Sequence, residues 1–235
     1  MYYDTIAHIY DIIYKDLDYQ FQVAFVDSYV KNYFLKKKVL DLACGTGKHL
    51  YCFHKLHYQT QGMDLSKEMV KLTQKRVPLA TVNKGSFLNF KLKEQFPLIT
   101  CFFNSLTYNL TLVALEKTLR TIYSHLEEGG LFVCDLYLSD TQEKVEGVRE
   151  YHENNSYITR TFIGIPKGKK FDSTMVYVYF NGKKTEIIKE ETVRGSFSLR
   201  EMLTLIKKVG FEVIYNGEGY WKGKGSGMTV FVLKK

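Results

Sequence analysis

The order of apolar and polar residues along the chain predicts helices that alternate with short buried strands. Residues 20–35 place apolar side chains at helical spacing, and KVLDLAC, residues 38–44, is the first apolar run of strand length. Strand patterns follow at residues 60–64, 80–82, 97–103 and 131–137, and helical patterns at residues 48–56, 66–76 and 112–126. Such alternation builds a parallel sheet that helices cover on both faces, so the predicted fold class is α/β.

The pattern changes between Tyr151 and Ser196. Apolar and polar residues alternate there in steps of two, and the Asn181-Gly182 pair marks a hairpin turn, so we predict an antiparallel insertion after the fifth strand. A helix at residues 198–210 and strands at residues 211–216 and 227–235 then return the chain to the main sheet. The helix that begins near Leu112 is expected to stop at Gly129-Gly130.

Composition narrows the class of protein. With 235 residues, 45% of them apolar, the chain is expected to form a globular protein. The N-terminus carries acids and tyrosines where a signal peptide needs a basic start, and no apolar run has the length of a membrane span, so we expect a cytoplasmic protein without membrane contact. No C-x-x-C pair suggests a zinc site or a disulfide framework; the four cysteines are Cys44, Cys52, Cys101 and Cys134.

Charge leaves three kinds of partner open. The formal net charge is +8. It is compatible with a nucleic acid as partner, with an anionic small substrate, or with no charged partner in an organism whose proteins are rich in lysine. The lysines are scattered along the chain, and the longest basic run is Lys36 to Lys38. Charge alone therefore does not identify the partner.

The segment that follows the first strand carries the most specific motif. Asp41-x-x-x-Gly45-x-Gly47 ends that strand, and glycine there lets a ligand approach the backbone closely. Asp64 ends the next strand, where a carboxylate can accept hydrogen bonds from both hydroxyls of a ribose. The third glycine of the dinucleotide motif is missing, because Leu50 takes its place. The pattern thus favours an adenosine ligand without phosphates over NAD.

These segments resemble the class I S-adenosylmethionine-dependent methyltransferases over nearly the whole chain. The resemblance lies in VLDLACGTG (39–47), GMDLSKEM (62–69), NKGSFLNF (83–90) and HLEEGGLFVCDLY (125–137). The opening YDTIAHIYDIIY, the segment FFNSLTYN and the insertion are more narrowly similar to small-molecule N-methyltransferases, particularly those that dimethylate amino sugars carried on nucleotides. The resemblance implies a Rossmann-like, seven-stranded, mostly parallel sheet with helices on both faces. It also implies S-adenosyl-L-methionine as cofactor and S-adenosyl-L-homocysteine as product.

The resemblance also implies the residues that bind the cofactor. Asp64 is expected to hold the ribose, with Leu65 and Met69 beside the adenine. Ser86 stands where many members carry Asp, and its hydroxyl can still hydrogen-bond the exocyclic amine of the adenine. Phe87 is expected to stack on the adenine ring or to contact it edge-on. Gly47 is expected to approach the ligand so closely that a Cβ there would meet it or strain the backbone. The complete set is Tyr10, Asp41, Ala43, Cys44, Gly45, Thr46, Gly47, Asp64, Leu65, Met69, Gly85, Ser86, Phe87, Phe103 and Asn104.

Methyl transfer from a sulfonium needs positioning more than acid or base chemistry. Phe103 and Asn104 resemble the position whose backbone carbonyl receives the methionine ammonium. Tyr14 and Tyr108 are the predicted catalytic residues: Tyr14 beside the sulfonium, and both as groups that orient the acceptor. No metal is expected, because Asn104 stands where metal-dependent relatives place an acid.

The predicted reaction is methyl transfer to a small-molecule acceptor, an amine in the favoured case. FNSLTYN after the fourth strand lacks the Pro-Pro-Tyr motif of enzymes that methylate adenine in nucleic acid, and no proline precedes a cysteine as in cytosine C5 enzymes. Two alternatives stay open: an RNA or protein methyltransferase, which the basic charge favours, and a cofactor-binding module without catalysis.

The predicted domain organisation has two parts. Residues 1–150 and 197–235 form the cofactor-binding core with an N-terminal helical cap, and residues 151–196 form an acceptor lid or a homodimer contact. The insertion leaves the carboxyl end of the fifth strand, so its hairpins can fold over the bound methyl group. Lysines of the insertion are candidates for attracting an anionic acceptor: Lys167, Lys169, Lys170, Lys183 and Lys184.

Overall fold

The computed structural model describes residues 2–33, 35–220 and 227–235. Its helices are α1 (Tyr2–Ile13), α2 (Tyr19–Asn32), α3 (Lys48–Lys55), α4 (Lys67–Arg76), α5 (Leu112–His125) and α6 (Leu199–Val209). Its strands are β1 (Lys38–Leu42), β2 (Gln59–Asp64), β3 (Thr81–Lys84), β4 (Phe96–Cys101), β5 (Leu126–Tyr137), β6 (Val145–Glu153), β7 (Ser156–Lys167), β8 (Lys170–Phe180), β9 (Thr185–Gly195), β10 (Glu212–Gly217) and β11 (Met228–Lys234). No helix of this described part is long and apolar enough to cross a membrane.

The main sheet has seven strands in the order β10-β11-β5-β4-β1-β2-β3. Strand β11 runs antiparallel to β5 and β10, whereas β1 pairs in parallel with both β2 and β4. The strands at the centre are almost completely buried because helices cover both faces, which explains their continuous apolar runs. The predicted α/β fold class is confirmed.

The strand order reverses direction at β1. Strand β2 lies on one side of β1 and β4 on the other, so their helices leave on opposite faces of the sheet. A crevice forms at such a point outside the carboxyl ends of the strands. Residues 43–47 after β1 and residues 103–104 after β4 therefore border the same crevice.

A second sheet of four antiparallel strands, in the order β6-β7-β8-β9, follows β5. It begins at Val145 rather than at Tyr151, because residues 145–150 continue the ladder with β7 as far as the Val145–Gly164 pair. Those residues are mostly polar and exposed, so their alternation gives little signal. The predicted hairpin turn is confirmed: the Asn181 side chain accepts the amides of Lys183 and Lys184 between β8 and β9.

The helix predicted over residues 112–126 is confirmed to within one residue, but Gly129-Gly130 do not end it. The helix ends at His125, and Leu126 is already extended, with φ −85° and ψ 140°. Leu126 is buried and pairs with Phe96 of β4, so tertiary packing ends the helix before the glycines. Gly129, with φ 73°, lies inside β5, where the pairing with β4 shifts register.

Helix α1 packs against the second sheet. Its apolar face contacts Tyr151, Ile158, Tyr177 and Ile188; the helix contributes Ile6, Ile9, Ile12 and Ile13. The helix also hydrogen-bonds to loops at the carboxyl edge of the main sheet. It therefore connects the two sheets across the crevice.

Candidate functional site

The loop after β1 alternates between buried and partly exposed residues. Cys44, Thr46 and Gly47 are buried, whereas Ala43 and Gly45 keep exposed surface towards the crevice. Ala43 has φ 56°, a left-handed conformation that costs a side-chain-bearing residue about 1–3 kcal/mol. Strain of this kind persists where the surrounding structure enforces it, which is common at binding sites.

The two glycines of the loop have different surroundings. A Cβ at Gly45, where φ is 54°, would meet no atom within 4 Å. A Cβ at Gly47, where φ is 77°, would lie 2.7 Å from Cγ2 of Thr73 on α4. A Cβ at Gly47 would thus meet Thr73, while contact of Gly47 with a ligand stays a prediction, and Gly45 is the glycine that faces open space.

The Asp64 carboxylate joins the two loops that follow β1 and β2. Its Oδ2 accepts the Gly45 amide at 2.8 Å, and its Oδ1 accepts the Ser66 amide at 2.9 Å. Burial raises the pKa of Asp64, while the amides of Ser66 and Gly45 act in the opposite direction. A carboxylate has about four acceptor positions, so each oxygen can also accept a ribose hydroxyl.

Asp41 lies behind the loop rather than at its surface. It is 1% exposed, and one carboxylate oxygen accepts a hydrogen bond from Thr100 at 2.7 Å. Burial raises the pKa of Asp41 to about 7. Its Oδ2 has no hydrogen-bond partner among the described residues. Contact of Asp41 with a ligand therefore stays a prediction, because its carboxylate lies behind the loop.

The residues expected around an adenine lie at the ends of β2 and β3. Leu65 is 49% exposed, whereas Met69 is 1% exposed within the start of α4. Ser66 caps this helix by accepting the Met69 amide at 3.2 Å. Leu65 can therefore touch a ligand directly, and Met69 supports it from the core.

The segment after β3 is fixed largely by its own backbone. The Gly85 amide donates to the Asp64 carbonyl at 2.9 Å, and the Ser86 hydroxyl accepts the Leu88 amide at 3.3 Å. Phe87 is buried in a core cluster that includes Met63. Contact of Ser86 or Phe87 with an adenine stays a prediction.

The turn after β4 is strained and firmly held. Phe103 and Asn104 both have left-handed backbones, with φ 56° and 60°. The Asn104 amide donates to Asp135 at 2.8 Å, its side-chain oxygen accepts the Tyr137 amide at 3.0 Å, and its carbonyl accepts from Thr107 at 2.6 Å. The Asn104 carbonyl therefore already has one donor before any ligand ammonium arrives.

Asp135 in β5 is a positioning residue that the sequence analysis missed. Besides binding the Asn104 amide, it accepts a hydrogen bond from the Tyr220 hydroxyl at 2.6 Å. Burial raises its pKa to about 6. The available signal was an acid inside an apolar strand, the same signal that drew attention to Asp41.

Two acids of α1 attach the helix to the loops of the main sheet, and the sequence analysis missed both. Asp11 accepts a hydrogen bond from the Thr46 hydroxyl at 2.7 Å and forms an ion pair with Arg76. Asp4 accepts a hydrogen bond from the Ser66 hydroxyl at 2.5 Å, and this bond lowers the pKa of Asp4. Their partners lie far away along the chain, so no local pattern marks them.

The structure brings the predicted tyrosines together in the crevice. The rings of Tyr10 and Tyr14 are 4.6 Å apart, and Tyr14 stacks on Phe103 at 6.1 Å. The Tyr108 hydroxyl is 2.7 Å from that of Tyr3, whose ring lies 6.2 Å from Tyr10. One continuous aromatic cluster thus extends from the turn after β4 to Tyr108.

Arg194 of β9 completes this cluster. Its guanidinium lies 5.3 Å from the centre of the Tyr108 ring, and one nitrogen donates to the Tyr108 hydroxyl at 3.4 Å. Burial raises the pKa of Tyr3, so its hydroxyl stays protonated in the hydrogen bond with Tyr108. The sequence analysis assigned Arg194 no role, because its strand lies in the insertion, whose polar residues alternate without a motif.

Comparison with known families identifies the crevice. Residues 39–130 match a family model described as a methyltransferase domain. The chain contains a methyltransferase domain. The predicted class, a methyltransferase, is thereby confirmed, and the match covers both loops that Asp64 joins.

Relatives of the methyltransferase domain include enzymes that act on sugars. The chain is 28% identical to a dTDP-3-amino-3,4,6-trideoxy-alpha-D-glucopyranose N,N-dimethyltransferase of Streptomyces venezuelae, over 96% of each chain. It is 26% identical to a dTDP-4-amino-2,3,4,6-tetradeoxy-D-glucose N,N-dimethyltransferase of Saccharopolyspora spinosa, over 80% of this chain and 78% of that one.

Solved structures share the fold of the whole chain. DesVI of Streptomyces venezuelae superposes with a TM-score of 0.88 at 24% identity, over 97% of each chain. The amino pentose methyltransferase CalS10 of Micromonospora echinaspora, solved with S-adenosylmethionine bound, superposes with a TM-score of 0.83 at 20% identity, over 96% of each chain. The shared fold includes the second sheet, because the match extends over nearly the full length.

Proposed function

We propose that the protein transfers a methyl group from S-adenosylmethionine to the amine of a small molecule, a nucleotide-linked amino sugar. The observation that carries the proposal is the crevice itself: a prebuilt ribose acceptor at Asp64, open space at Gly45, and an aromatic cluster against the second sheet. The names of the full-length sugar-methylating relatives support the class of acceptor.

The crevice divides into two halves. The cofactor half consists of residues 43–47, 64–69 and 85–87, at the ends of β1, β2 and β3. The acceptor half consists of side chains from α1, the turn after β4 and the second sheet: Tyr3, Tyr10, Tyr14, Tyr108 and Arg194. Tyr10, which the sequence analysis placed with the cofactor, is assigned to this half because its ring neighbours are Tyr3 and Tyr14. The turn at Phe103 and Asn104 lies between the halves, where the methyl group must pass from one to the other.

In the cofactor half, Asp64 accepts the ribose hydroxyls, and the backbone of Ala43 to Gly47 lines the amino-acid portion. When bound, S-adenosylmethionine supplies a methyl group on a positively charged sulfur that is a good leaving group. Tyr14, stacked on Phe103, presents an aromatic face or its hydroxyl oxygen to that charge. These residues position the methyl group, and positioning supplies most of the acceleration.

In the acceptor half, Tyr108 orients the amine. Its hydroxyl is held by Tyr3 and Arg194, so it can hydrogen-bond an amine in a fixed direction. The positive charge of Arg194 disfavours a second positive charge nearby, so it lowers the pKa of an amine bound at Tyr108. The amine is then neutral and nucleophilic without a dedicated general base, and α1 with the second sheet excludes water.

The proposal extends to the setting of the enzyme. We infer a cytoplasmic protein that works on an anionic acceptor and forms a homodimer through the outer face of the second sheet. That face exposes a row of apolar side chains rather than single, scattered ones, and exposed apolar patches mark interaction surfaces. The row consists of Val148, Ile163, Val178, Ile187 and Val193. Sedimentation of the wild type and of Ile187→Lys tests the dimer, since a buried lysine would separate the subunits.

The test of function is methyl transfer by the purified protein to a panel of amines. The panel contains free amino sugars, nucleotide-linked amino sugars, an RNA and a basic peptide, with mass spectrometry of each product. We expect one or two methyl additions on a nucleotide-linked amino sugar, and slower transfer by Asp64→Ala at low concentrations of S-adenosylmethionine. Transfer to the RNA or the peptide would favour that alternative, and binding of S-adenosylhomocysteine without any transfer would favour a non-catalytic module.

A further inference from the structure

Two arginines lie directly opposite each other on the inner face of the second sheet. Arg149 of β6 and Arg160 of β7 are register partners in the antiparallel ladder. Their neighbours on the same face, Tyr151 and Ile158, pack against α1, so this face points towards the crevice. Like charges directly opposite each other destabilise a sheet.

This repulsion is not balanced by the protein. Within residues 2–33, 35–220 and 227–235, no ion pair includes Arg149 or Arg160. Nε of Arg160 is buried and has no hydrogen-bond partner among the same residues. Three acids share the face. Glu153 is exposed at the end of β6, and Glu186 forms an ion pair with His8. Glu190 is buried on β9, two strands away from Arg160.

An aromatic side chain holds both guanidiniums in place. The centre of the Phe162 ring is 5.8 Å from the Arg149 guanidinium and 5.2 Å from that of Arg160. Arg160 also lies 6.0 Å from the ring of Tyr151. A guanidinium that stacks on a ring keeps the N–H groups at its edge available for hydrogen bonds. The arginine pair, Arg149 and Arg160, is therefore ordered by stacking while its donors remain unused.

The arginine pair borders the acceptor half of the crevice. Burial raises the pKa of Tyr137, at the end of β5, and the positive charges of Arg194 and Arg149 act in the opposite direction. Arg194 in turn contacts Tyr108, the residue assigned to the amine. Because Arg149 and Arg160 share the face of the sheet on which Tyr151 and Ile158 pack against α1, the pair lies on the crevice side of the sheet.

We propose that the arginine pair binds the phosphate groups of a diphosphate ester, the anionic part of the acceptor. The proposal rests on the proposed function and names the part of the acceptor that this surface recognises. Each guanidinium carries five N–H donors in a rigid fork that matches phosphate oxygens in a bidentate manner. A carboxylate, with two oxygens, satisfies one fork, whereas a diphosphate offers oxygens to both forks at once. Binding also removes the repulsion between the two arginines.

The insertion lysines are poorer candidates for this role. Lys167 forms an ion pair with Asp172, and Lys169 forms one with Glu201. Lys183 and Lys184 lie at the turn between β8 and β9, exposed at the end of the sheet. Removing the charges of Lys183 and Lys184 therefore provides a control that changes the net charge twice as much as either single arginine substitution.

The test measures binding of inorganic pyrophosphate and of thymidine diphosphate by calorimetry at one fixed ionic strength. We expect Arg149→Gln and Arg160→Gln each to weaken binding of both probes at least tenfold, because a charge-assisted bidentate contact is lost. The double variant Lys183→Gln/Lys184→Gln should change it less than twofold. Affinity for S-adenosylhomocysteine should be unchanged in all variants, which shows that they are folded.

A second measurement separates a binding role from a structural one. Without ligand, each arginine variant should unfold at the same temperature as the wild type or above it, because the like-charge repulsion is gone. If both arginine variants unfold at lower temperatures than the wild type without ligand, the inference is overturned. It is also overturned if either arginine variant binds the probes as tightly as the wild type, or if the lysine variant loses as much probe affinity as the arginine variants. If the wild type binds S-adenosylhomocysteine but neither probe, the inference is overturned and the proposed function is not. If the wild type does not bind S-adenosylhomocysteine, the result counts against the proposed function.

Discussion

The two halves of the crevice are built in different ways. In the cofactor half, Asp64 collects the backbone amides of Gly45 and Ser66, and the Thr73 hydroxyl donates to the Gly45 carbonyl at 2.7 Å. In the acceptor half, side chains from distant parts of the chain meet: Tyr3 with Tyr108, and Tyr108 with Arg194. The cofactor half is thus a property of two adjacent strand ends, whereas the acceptor half exists only when both sheets and α1 are assembled.

This difference indicates where specificity resides. Every ligand of the cofactor half has the same adenosine and amino-acid parts, which backbone groups can recognise. The acceptor half uses side chains from an insertion, which can change without disturbing the main sheet. Substitutions in one half should therefore leave the other half intact, with α1 as the element that connects them.

The largest effect is expected for Gly47→Val. A Cβ at Gly47 would collide with Thr73, and φ 77° is unfavourable for valine. Together, overpacking and left-handed strain should lower the free energy of unfolding by about 2–5 kcal/mol. Urea denaturation measures this loss.

Gly45→Ala is the matched control for Gly47→Val. It introduces a Cβ at a similar φ of 54° but into open space. We expect a cost of only about 1–2 kcal/mol in stability, together with weaker binding of S-adenosylhomocysteine. A stability loss at Gly45 as large as that at Gly47 would contradict the different surroundings of the two glycines.

Asp64→Ala should produce the next largest effect, in the cofactor half alone. The substitution removes the acceptor of the ribose hydroxyls, and the Gly45 and Ser66 amides lose the same carboxylate as their hydrogen-bond acceptor. Hydrogen bonds to a charged group contribute about 1.5–3 kcal/mol, so affinity for S-adenosylhomocysteine should fall roughly 10- to 100-fold. Calorimetry measures the affinity; pyrophosphate binding by the same variant should match the wild type, and its loss would show that the two halves are not independent.

The sequence predicted the cofactor half better than the acceptor half, because adjacent strand ends build the cofactor half and distant parts of the chain build the acceptor half. Gly45, Asp64 and the cap at Ser66 leave signals at fixed local spacing, because adjacent strand ends and helix starts impose them. Gly47 was assigned to the ligand because spacing alone cannot show that Thr73 packs against it. Strands of the main sheet were predictable because burial on both faces requires continuous apolar runs.

Contacts across long stretches of chain could not be predicted. Asp11 and Arg194 look like ordinary surface charges in the sequence, and only assembly brings them to Thr46 and Tyr108. The start of the second sheet at Val145 was missed because a strand of polar, exposed residues has no alternation to detect. The end of α5 was predicted to within one residue, but the glycines were the wrong cause, because packing of Leu126 ends the helix at His125.

Tyr108→Phe should affect the acceptor half alone, with a smaller effect. The variant keeps the ring under Arg194 but loses the hydroxyl that Tyr3 and Arg194 hold. We expect kcat/KM for the methyl acceptor to fall about tenfold, equivalent to about 1.4 kcal/mol, with affinity for S-adenosylhomocysteine unchanged. Tyr157→Phe, on the outer face of the second sheet, is the control. If Tyr108→Phe is as active as the wild type, the Tyr108 hydroxyl has no role in the reaction.

The smallest effect is expected for Asp11→Ala, which tests the connection between the halves. Asp11 accepts the Thr46 hydroxyl of the cofactor half, while its helix carries Tyr10 and Tyr14 of the acceptor half. Its contacts are partly exposed to solvent, so the net loss should be about 1 kcal/mol.

Because α1 belongs to both halves, Asp11→Ala should weaken binding of S-adenosylhomocysteine roughly fivefold and also lower kcat/KM for the acceptor. Amide exchange in α1 should become faster, since one of its attachments to the main sheet is gone. Asp16→Ala, an exposed acid just beyond the same helix, removes an equal charge and should change none of these quantities. An Asp11 variant that affects acceptor kinetics but not cofactor affinity would place α1 in the acceptor half alone, because a helix that joins the two halves cannot loosen without disturbing the loop at Thr46.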